Sequence, residues 1–390
     1  MPETPDIGSR LRSIRKRRGL TQRELAQAAD VSISLVSKLE QGVIEDVRLE
    51  TAHRLARALR VRTTSLIQRD EEEGTPRPGD TWAPVRAALL APPADRIEEA
   101  PSVAGLRRTL ADAEPLFAAV DLHGLAVVLP PLLRDADALD SEEAGARAVQ
   151  AQLLQLSGWL MVQTRQYEAA AVALDRALDT APDALDGAAT VNSRAWLHLR
   201  RGELAAAREL ATRWADDVEP RLSRASHAEL AAWGWMLLRV AGAAVRDNRR
   251  GEAADALRLA QVAATAIGRE EIAGRDTLRT FGPVTVTQHR AEHAAVTDRP
   301  DLVLSLAERM PPGETTGSNR ARHLVQVADA HTRLRQYPEA VQVLQQVQRT
   351  APEWLPQQRF ARDVVGRIVG RRRTLTKEMR ALATAVALPL

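Results

Sequence analysis

Near the start of the chain, apolar residues return every three or four positions, the period of a helix with one buried face. Ile7, Leu11 and Ile14 predict a first helix over 7–18, which Gly19 stops. Thr21 followed by Glu24 is the pattern of an N-cap with its capping box, and Leu25, Ala26 and Ala29 form the inner face of a short second helix. Asp30 is a turn residue. Ser32 is the N-cap of a third helix, with Leu35, Val36 and Leu39 pointing inward and Gly42 ending it. Leu49, Ala52, Leu55, Ala56 and Leu59 predict a fourth amphipathic helix, and Leu66 with Ile67 closes a small five-helix core.

The periodicity then lapses. Asp70 to Thr81 is acidic, rich in Pro and Gly and without an apolar period, which predicts a linker. Beyond it the helical period resumes and a longer one of about 34 residues is laid over it. Gly158, Tyr167, Ala170, Leu174, Ala177 and Pro182 form one copy, and Ala328, Tyr337, Ala340, Leu344 and Pro352 another, with Val347 in place of a small residue. Fainter copies surround Gly202-Glu203-Leu204 with Ala207 and Ala211, Gly251 with Ala256, Ala260 and Ala263, and Asp301 with Ala307 and Pro311. Small residues suit helix pairs that cross closely and bury their apolar faces only against neighbours. Flanking helices are expected over Trp82–Leu90, Ser102–Leu110, His123–Leu139, Gln357–Arg372 and Thr376–Leu388.

Composition narrows the function. The 390 residues include only twelve aromatics, and no cysteine, which excludes disulfides, thiolate metal sites and cysteine nucleophiles. Residues 1–70 carry 14 Lys/Arg against 9 Asp/Glu, a net +5, whereas the other 320 carry 40 against 42, a net −2. All the excess positive charge lies in the first segment, the footprint of a small nucleic-acid-binding head on a near-neutral body. No secretory signal is read at the N-terminus, and the apolar stretch Gly124–Leu133 is too short and Pro-interrupted to span a membrane, so a cytoplasmic chain is expected. No glycine-rich phosphate loop, serine nucleophile elbow or kinase signature is present. His289-Arg290-Ala291-Glu292-His293 matches the H-x-x-E-H zinc pattern, but it lies inside the repeats without a catalytic partner domain. It is read as packed or groove-facing histidines, and no catalytic residue, metal or cofactor is assigned.

Helix, tight turn, helix is the helix-turn-helix geometry. The residues that carry it, Arg15, Gly19-Leu20-Thr21-Gln22, Glu24-Leu25-Ala26, Val31-Ser32 and Ser37-Lys38-Leu39-Glu40-Gln41-Gly42, resemble the XRE family of Cro-like DNA-binding domains. That family usually has Gly where Asp30 stands, and Asp tolerates the left-handed turn. The resemblance implies that the third helix enters the major groove with Ile33, Ser34, Ser37 and Lys38 at base edges and Ser32 at its start. Lys38 can donate to guanine, and Ile33 can pack on a thymine methyl. Gln22 matches a position that grips phosphate, Arg10 adds a basic contact, and Arg15 with Glu40 matches a pair tying the first helix to the third. The repeats resemble tetratricopeptide (TPR) hairpins, and the layout, including Phe281 to Thr285 with His289, is similar to XRE-plus-TPR regulators of actinomycetes. In architecture it is similar to peptide-sensing helix-turn-helix/TPR regulators.

The expected fold is all-α: a five-helix head, then an α-solenoid of TPR-like hairpins. The boundaries read are 1–69 for the DNA-binding head, 70–81 for the linker, 82–150 for connecting helices, 151–354 for the ligand-sensing and dimerising array, and 355–390 for capping helices. Transferring the repeat register puts Gln152, Gln155, Trp159, Asn192, Trp196, Gln288, Glu292, Arg322, Asp329 and Thr332 on the concave wall. Those residues suit a peptide or small amphipathic effector, with indoles for apolar contact and amides for a ligand backbone. Trp233 and Trp235 are read as core. The function expected is a homodimeric transcriptional regulator binding operator DNA under effector control. The alternative is a TPR switch in which a partner protein controls the head.

Overall fold

The structure, a computed structural model, describes residues 7–18, 20–44, 49–59, 61, 80–90, 101–140, 142–272, 276–372 and 374–388. Gly19, most of the linker, and the expected fifth helix of the head around Leu66 and Ile67 lie outside them. The chain divides into two compact units, Met1–Pro78 and Gly79–Leu390. It is an all-α protein: among the described residues there is no strand, and Glu271 and Phe281 form one isolated bridge.

In the first unit the helices are α1 (Ile7–Arg17), α2 (Gln22–Ala29), α3 (Ile33–Glu40) and α4 (Leu49–Ala58). Local chemistry sets their ends. The Glu24 N–H donates to the Thr21 hydroxyl and the Glu24 carboxylate accepts from Thr21 N–H, while Ser32 accepts from Leu35 N–H. Asp30 takes the left-handed conformation, φ 51°, so the chain reverses between α2 and α3. Leu11, Leu25, Val36, Leu39, Leu55 and Leu59 fill the core beneath.

The second unit opens with α5 (Ala83–Leu90), α6 (Val103–Ala119) and α7 (Leu122–Asp137). Helix α6 runs past the expected end at Leu110 and through Pro115, because the apolar stripe of Val103, Leu106 and Leu110 continues at Ala113. Five antiparallel helix pairs follow: α8 (Ala146–Gln163) with α9 (Tyr167–Thr180), α10 (Ala184–Arg201) with α11 (Leu204–Asp217), α12 (His227–Arg246) with α13 (Arg250–Ile267), α14 (Pro283–Val296) with α15 (Pro300–Glu308), and α16 (Gly317–Arg333) with α17 (Tyr337–Thr350). The chain ends in α18 (Trp354–Gln357), α19 (Arg359–Val369) and α20 (Lys377–Ala385).

All five pairs turn the same way. Arg165, Gly202, Asn248, Asp298 and Arg335 each adopt positive φ between first and second helix. The next residue's N–H then donates to the carbonyl five positions back, as from Gln166 to Met161 at 2.8 Å and from Gln336 to His331 at 2.9 Å. These are Schellman-type closures that satisfy the carbonyls left over at a helix end. Within a pair the helices approach closely: a Cβ on Gly158 would stand 2.6 Å from the Leu174 side chain. First helices are buried on most sides, whereas α9 shows a single stripe of Ala169, Ala170, Ala173, Leu174 and Ala177. Helix α12 is apolar and long enough to cross a membrane by composition, but 78% of its most apolar 18-residue stretch is buried among the other helices.

The array curls until its ends meet. Trp354 Nε1 donates to Gln163 Oε1 at 2.9 Å, His123 N–H donates to Glu353 at 2.9 Å, and Gly317 of α16 lies against the Ala118 carbonyl of α6. The first helices of the unit, from Trp82, and its last, to Val386, therefore share one hydrophobic core, while the middle of the array packs in separate clusters.

Candidate DNA-recognition face and inner cavity

On the first unit, α3 buries Val36 and Leu39 and turns the opposite face outward. Ile33, 49% exposed, stands there with exposed Ser34 and Lys38, and Ser37 is half-buried. Ser32 is exposed, its hydroxyl engaged as the cap of α3. Arg10 is half-buried on α1. Beneath this face Arg15 and Glu40 form a buried two-pronged pair, Nε to Oε1 at 2.5 Å and Nη2 to Oε2 at 2.8 Å, and Arg15 Nη1 reaches the Leu20 carbonyl at 2.7 Å. Gln22 Nε2 donates to the same carboxylate at 2.8 Å. One amide N–H of Gln22 is thus engaged internally, and the carboxamide has a second to offer outward. Burial pushes the Glu40 carboxyl up, but Arg15 and Gln22 outweigh it and hold it below its ordinary value. The bond from Glu40 likewise raises Arg15.

In the second unit, the first helices α8, α10, α12, α14 and α16 face a common interior. The segment between α13 and α14 enters it. Phe281 packs where a Cβ on Gly234 would lie 2.0 Å from its ring, and the Trp235 indole donates to the Thr280 carbonyl at 3.2 Å. Asp276 collects four hydrogen bonds there. Its carboxylate accepts from Asn192 Nδ2 at 3.1 Å, from Arg279 Nη1 at 2.8 Å, from Leu278 N–H at 3.2 Å and from Gln155 Nε2 at 3.4 Å. Arg279 also donates to Ser193, and Arg239 Nε donates to Asn192 Oδ1 at 2.6 Å.

The expected wall residues therefore fall into two groups. Asn192 is 1% exposed, with both ends of its amide bonded inside the chain, and Gln155 and Asp329 are equally enclosed. Asp329 pairs with Arg333 at 2.8 Å and with Arg367. Gln288 is buried and donates to Thr315, and Trp159 is buried against Phe117. Trp196, Glu292, Arg322 and, for all its burial, Asp329 line a cavity of about 380 Å³. Glu292 pairs with Arg246 at 2.5 Å; burial pushes its carboxyl up, and Arg246 with its neighbours carries it down to about 2. His289 Nδ1–H donates to the Thr285 carbonyl at 3.0 Å and its ring stacks edge-on against Trp235, while Glu292 is held by Arg246, so the H-x-x-E-H side chains serve different neighbours. No metal-binding group of three or more His, Cys, Asp or Glu occurs among the described residues.

Sequence reasoning missed the arginines of this interior, Arg200, Arg239, Arg246 and Arg279; Trp235 is core, as read, and one edge of it also lines a narrow inner pocket. A signal existed. Trp196 and Arg200, and Trp235 and Arg239, are spaced i, i+4, which sets each guanidinium over an indole, at 5.9 Å and 5.2 Å from the ring centre.

Residues 6–69 match the family model described as a helix-turn-helix domain. The protein is thus a helix-turn-helix domain joined to a helical-repeat body. No curated protein matches the chain. Among solved structures it is similar to Bacillus thuringiensis PlcR in complex with the peptide PapR7 and DNA, at 14% identity, covering 78% of this chain and 97% of that one with a TM-score of 0.37. It is also similar to the apo form of ComR from S. thermophilus, at 11% identity, 94% and 99% coverage and a TM-score of 0.26. The complex of that ComR with DNA and its signalling peptide ComS gives 12% identity, 88% and 99% coverage and a TM-score of 0.25. Likeness this distant says nothing about what the present chain binds.

Proposed function

We propose that this chain is a cytoplasmic, non-enzymatic transcriptional regulator whose head reads operator DNA and whose repeat body binds a peptide or small-molecule effector that alters DNA affinity. The observation that carries the reading is the outward face of α3 in a matched helix-turn-helix domain: Ile33, Ser34 and Lys38 exposed over a core of Val36 and Leu39. A second helix held by capping, with a phosphate-directed amide at its start and a reading helix behind it, is the arrangement that enters a major groove. The organisation proposed is head 1–69, linker 70–81, connecting helices 82–150, array 151–354 and caps 355–390. One head buries too little surface for tight binding, so we propose a homodimer on half-sites one turn of DNA, about 34 Å, or a multiple apart.

Titration of the chain's own promoter region and of random DNA over a range of salt tests this. Lys38→Ala should cost about 1–3 kcal/mol and relax preference at one base pair, whereas Gln22→Ala should weaken all sequences alike. Equal losses on operator and random DNA for Lys38→Ala would remove the base-reading role.

A further inference from the structure

The inner cavity holds more positive charge than the protein itself neutralises. Five arginines line it, Arg200, Arg239, Arg246, Arg322 and Arg333, against two carboxylates, Glu292 and Asp329. Both carboxylates are engaged, Glu292 by Arg246 and Asp329 by Arg333 and Arg367. Among the described residues, Arg200, Arg239 and Arg322 have no carboxylate within ion-pair distance. Arg239 donates only to the neutral oxygens of Asn192. The Nε atoms of Arg200 and Arg322 are buried with no acceptor, and both guanidiniums lie by the Trp196 ring, at 5.9 and 4.6 Å from its centre.

A folded chain gains little by gathering three cations in a half-dry space, because each loses hydration and, although Glu292 attracts Arg322 and Glu292 with Asp276 attracts Arg239 from a distance, none has a carboxylate in contact. Burial lowers Arg239 and brings Arg322 down to about 10, the direction of that penalty. Guanidinium forks match the planar or tetrahedral oxygens of carboxylate and phosphate. The cavity, about 380 Å³, is within the range of small-ligand pockets, about 300–1,000 Å³, and Leu199, Leu238, Val296 and Phe360 give it an apolar side.

We propose that this cavity binds a small organic polyanion, a molecule with at least two carboxylate or phosphate groups, one held by Arg200 and Arg322 beside Trp196 and another by Arg239. The proposal deepens the effector part of the reading above and rests on it only for its regulatory meaning. Three cations with no carboxylate in contact, two of them from helices as separate in sequence as α10 and α16, are the juxtaposition that calls for such a ligand.

The test is calorimetric titration of the full chain with citrate, pyrophosphate and acetate, each at ionic strength matched with chloride, alongside tryptophan fluorescence. Citrate or pyrophosphate should bind saturably, one per chain, and acetate should not; the better of the two identifies carboxylate or phosphate as the preferred group. Arg322→Met and Arg200→Met should each weaken binding roughly 10- to 100-fold, the worth of a charge-assisted hydrogen bond. Ligand-free Arg322→Met should be at least as resistant to urea as the wild type, since it removes an uncompensated cation. Binding no stronger than in matched chloride, or equal affinity in the variants, would overturn the site. Promoter titration run in parallel separates the two proposals: polyanion binding that leaves DNA affinity unchanged supports the cavity site and refutes effector control. A DNA response to a peptide with no polyanion binding does the opposite.

Discussion

Glu40→Ala should destabilise the head far more than its size suggests. The carboxylate accepts three hydrogen bonds, two from Arg15 at 2.5 and 2.8 Å and one from Gln22 at 2.8 Å. Its removal leaves Arg15, 9% exposed, with only the Leu20 carbonyl. Stranding one partner of a buried pair costs about 3–5 kcal/mol, and the remaining carbonyl places the expected loss near the low end, about 3 kcal/mol. A domain of this size holds about 3–9 kcal/mol in all, so a third or more of its stability is at stake. The companion variant, Arg15→Met with Glu40→Leu, removes both charges and should lose about 1 kcal/mol or less, about 2 kcal/mol less than Glu40→Ala alone. Native-state hydrogen exchange of peptides spanning α1 to α3 in the full chain measures both. Equal losses in the single and double variants would refute the reasoning. The pH dependence has a definite sign: the folded carboxyl lies below its ordinary 4.5, so the pair's contribution is complete above that value and disappears as pH falls through the lower folded one.

Arg335 holds φ 63° at an exposed turn, and Arg335→Gly should raise stability to urea by about 1 kcal/mol, the cost of a left-handed side-chain-bearing residue; a drop would contradict that account. His289 and His323 are pushed down to about 4, chiefly by burial, so both stabilise the fold fully above pH 6.5 and lose that contribution between 6.5 and about 4, roughly 3 kcal/mol each. Urea midpoints at pH 7.5 and 4.5 should diverge less in a His289→Gln, His323→Gln double variant than in the wild type. Asp276→Asn keeps the shape of the interior network but leaves buried Arg279 without its anion; it should cost about 3 kcal/mol in urea unfolding, and a loss under 1 kcal/mol would show that the network is not formed in solution.

What could be read from the sequence was local. Thr21 with Glu24, Ser32 and Asp30 act on backbone within four residues of themselves, and the repeat signal of Gly158, Ala170, Leu174 and Ala177 comes from adjacent helices. The interior was legible only in part, because a polar residue in an apolar helix announces that it has a partner without saying which. Asn192 stood out for that reason; its partners are Asp276, 84 positions away in an aperiodic segment, and Arg239. Nothing periodic marks Asp276, so no pattern could place it among α8, α10 and α12. The same holds for Gln163 and Trp354, 191 positions apart.

That last contact changes how the body should come apart. An open stack of hairpins has two free ends, and its terminal units melt first because each lacks a neighbour on one side. With Gln163 bonded to Trp354 and Glu353 to the start of α7, the outermost hairpins hold each other. Fraying then has nowhere cheap to begin, and α8 and α17 should exchange their amides as slowly as the middle of the stack. Trp354→Phe, which keeps one aromatic ring but deletes the pyrrole ring and its N–H, should restore end-first opening, visible as faster exchange at both termini of the array at once.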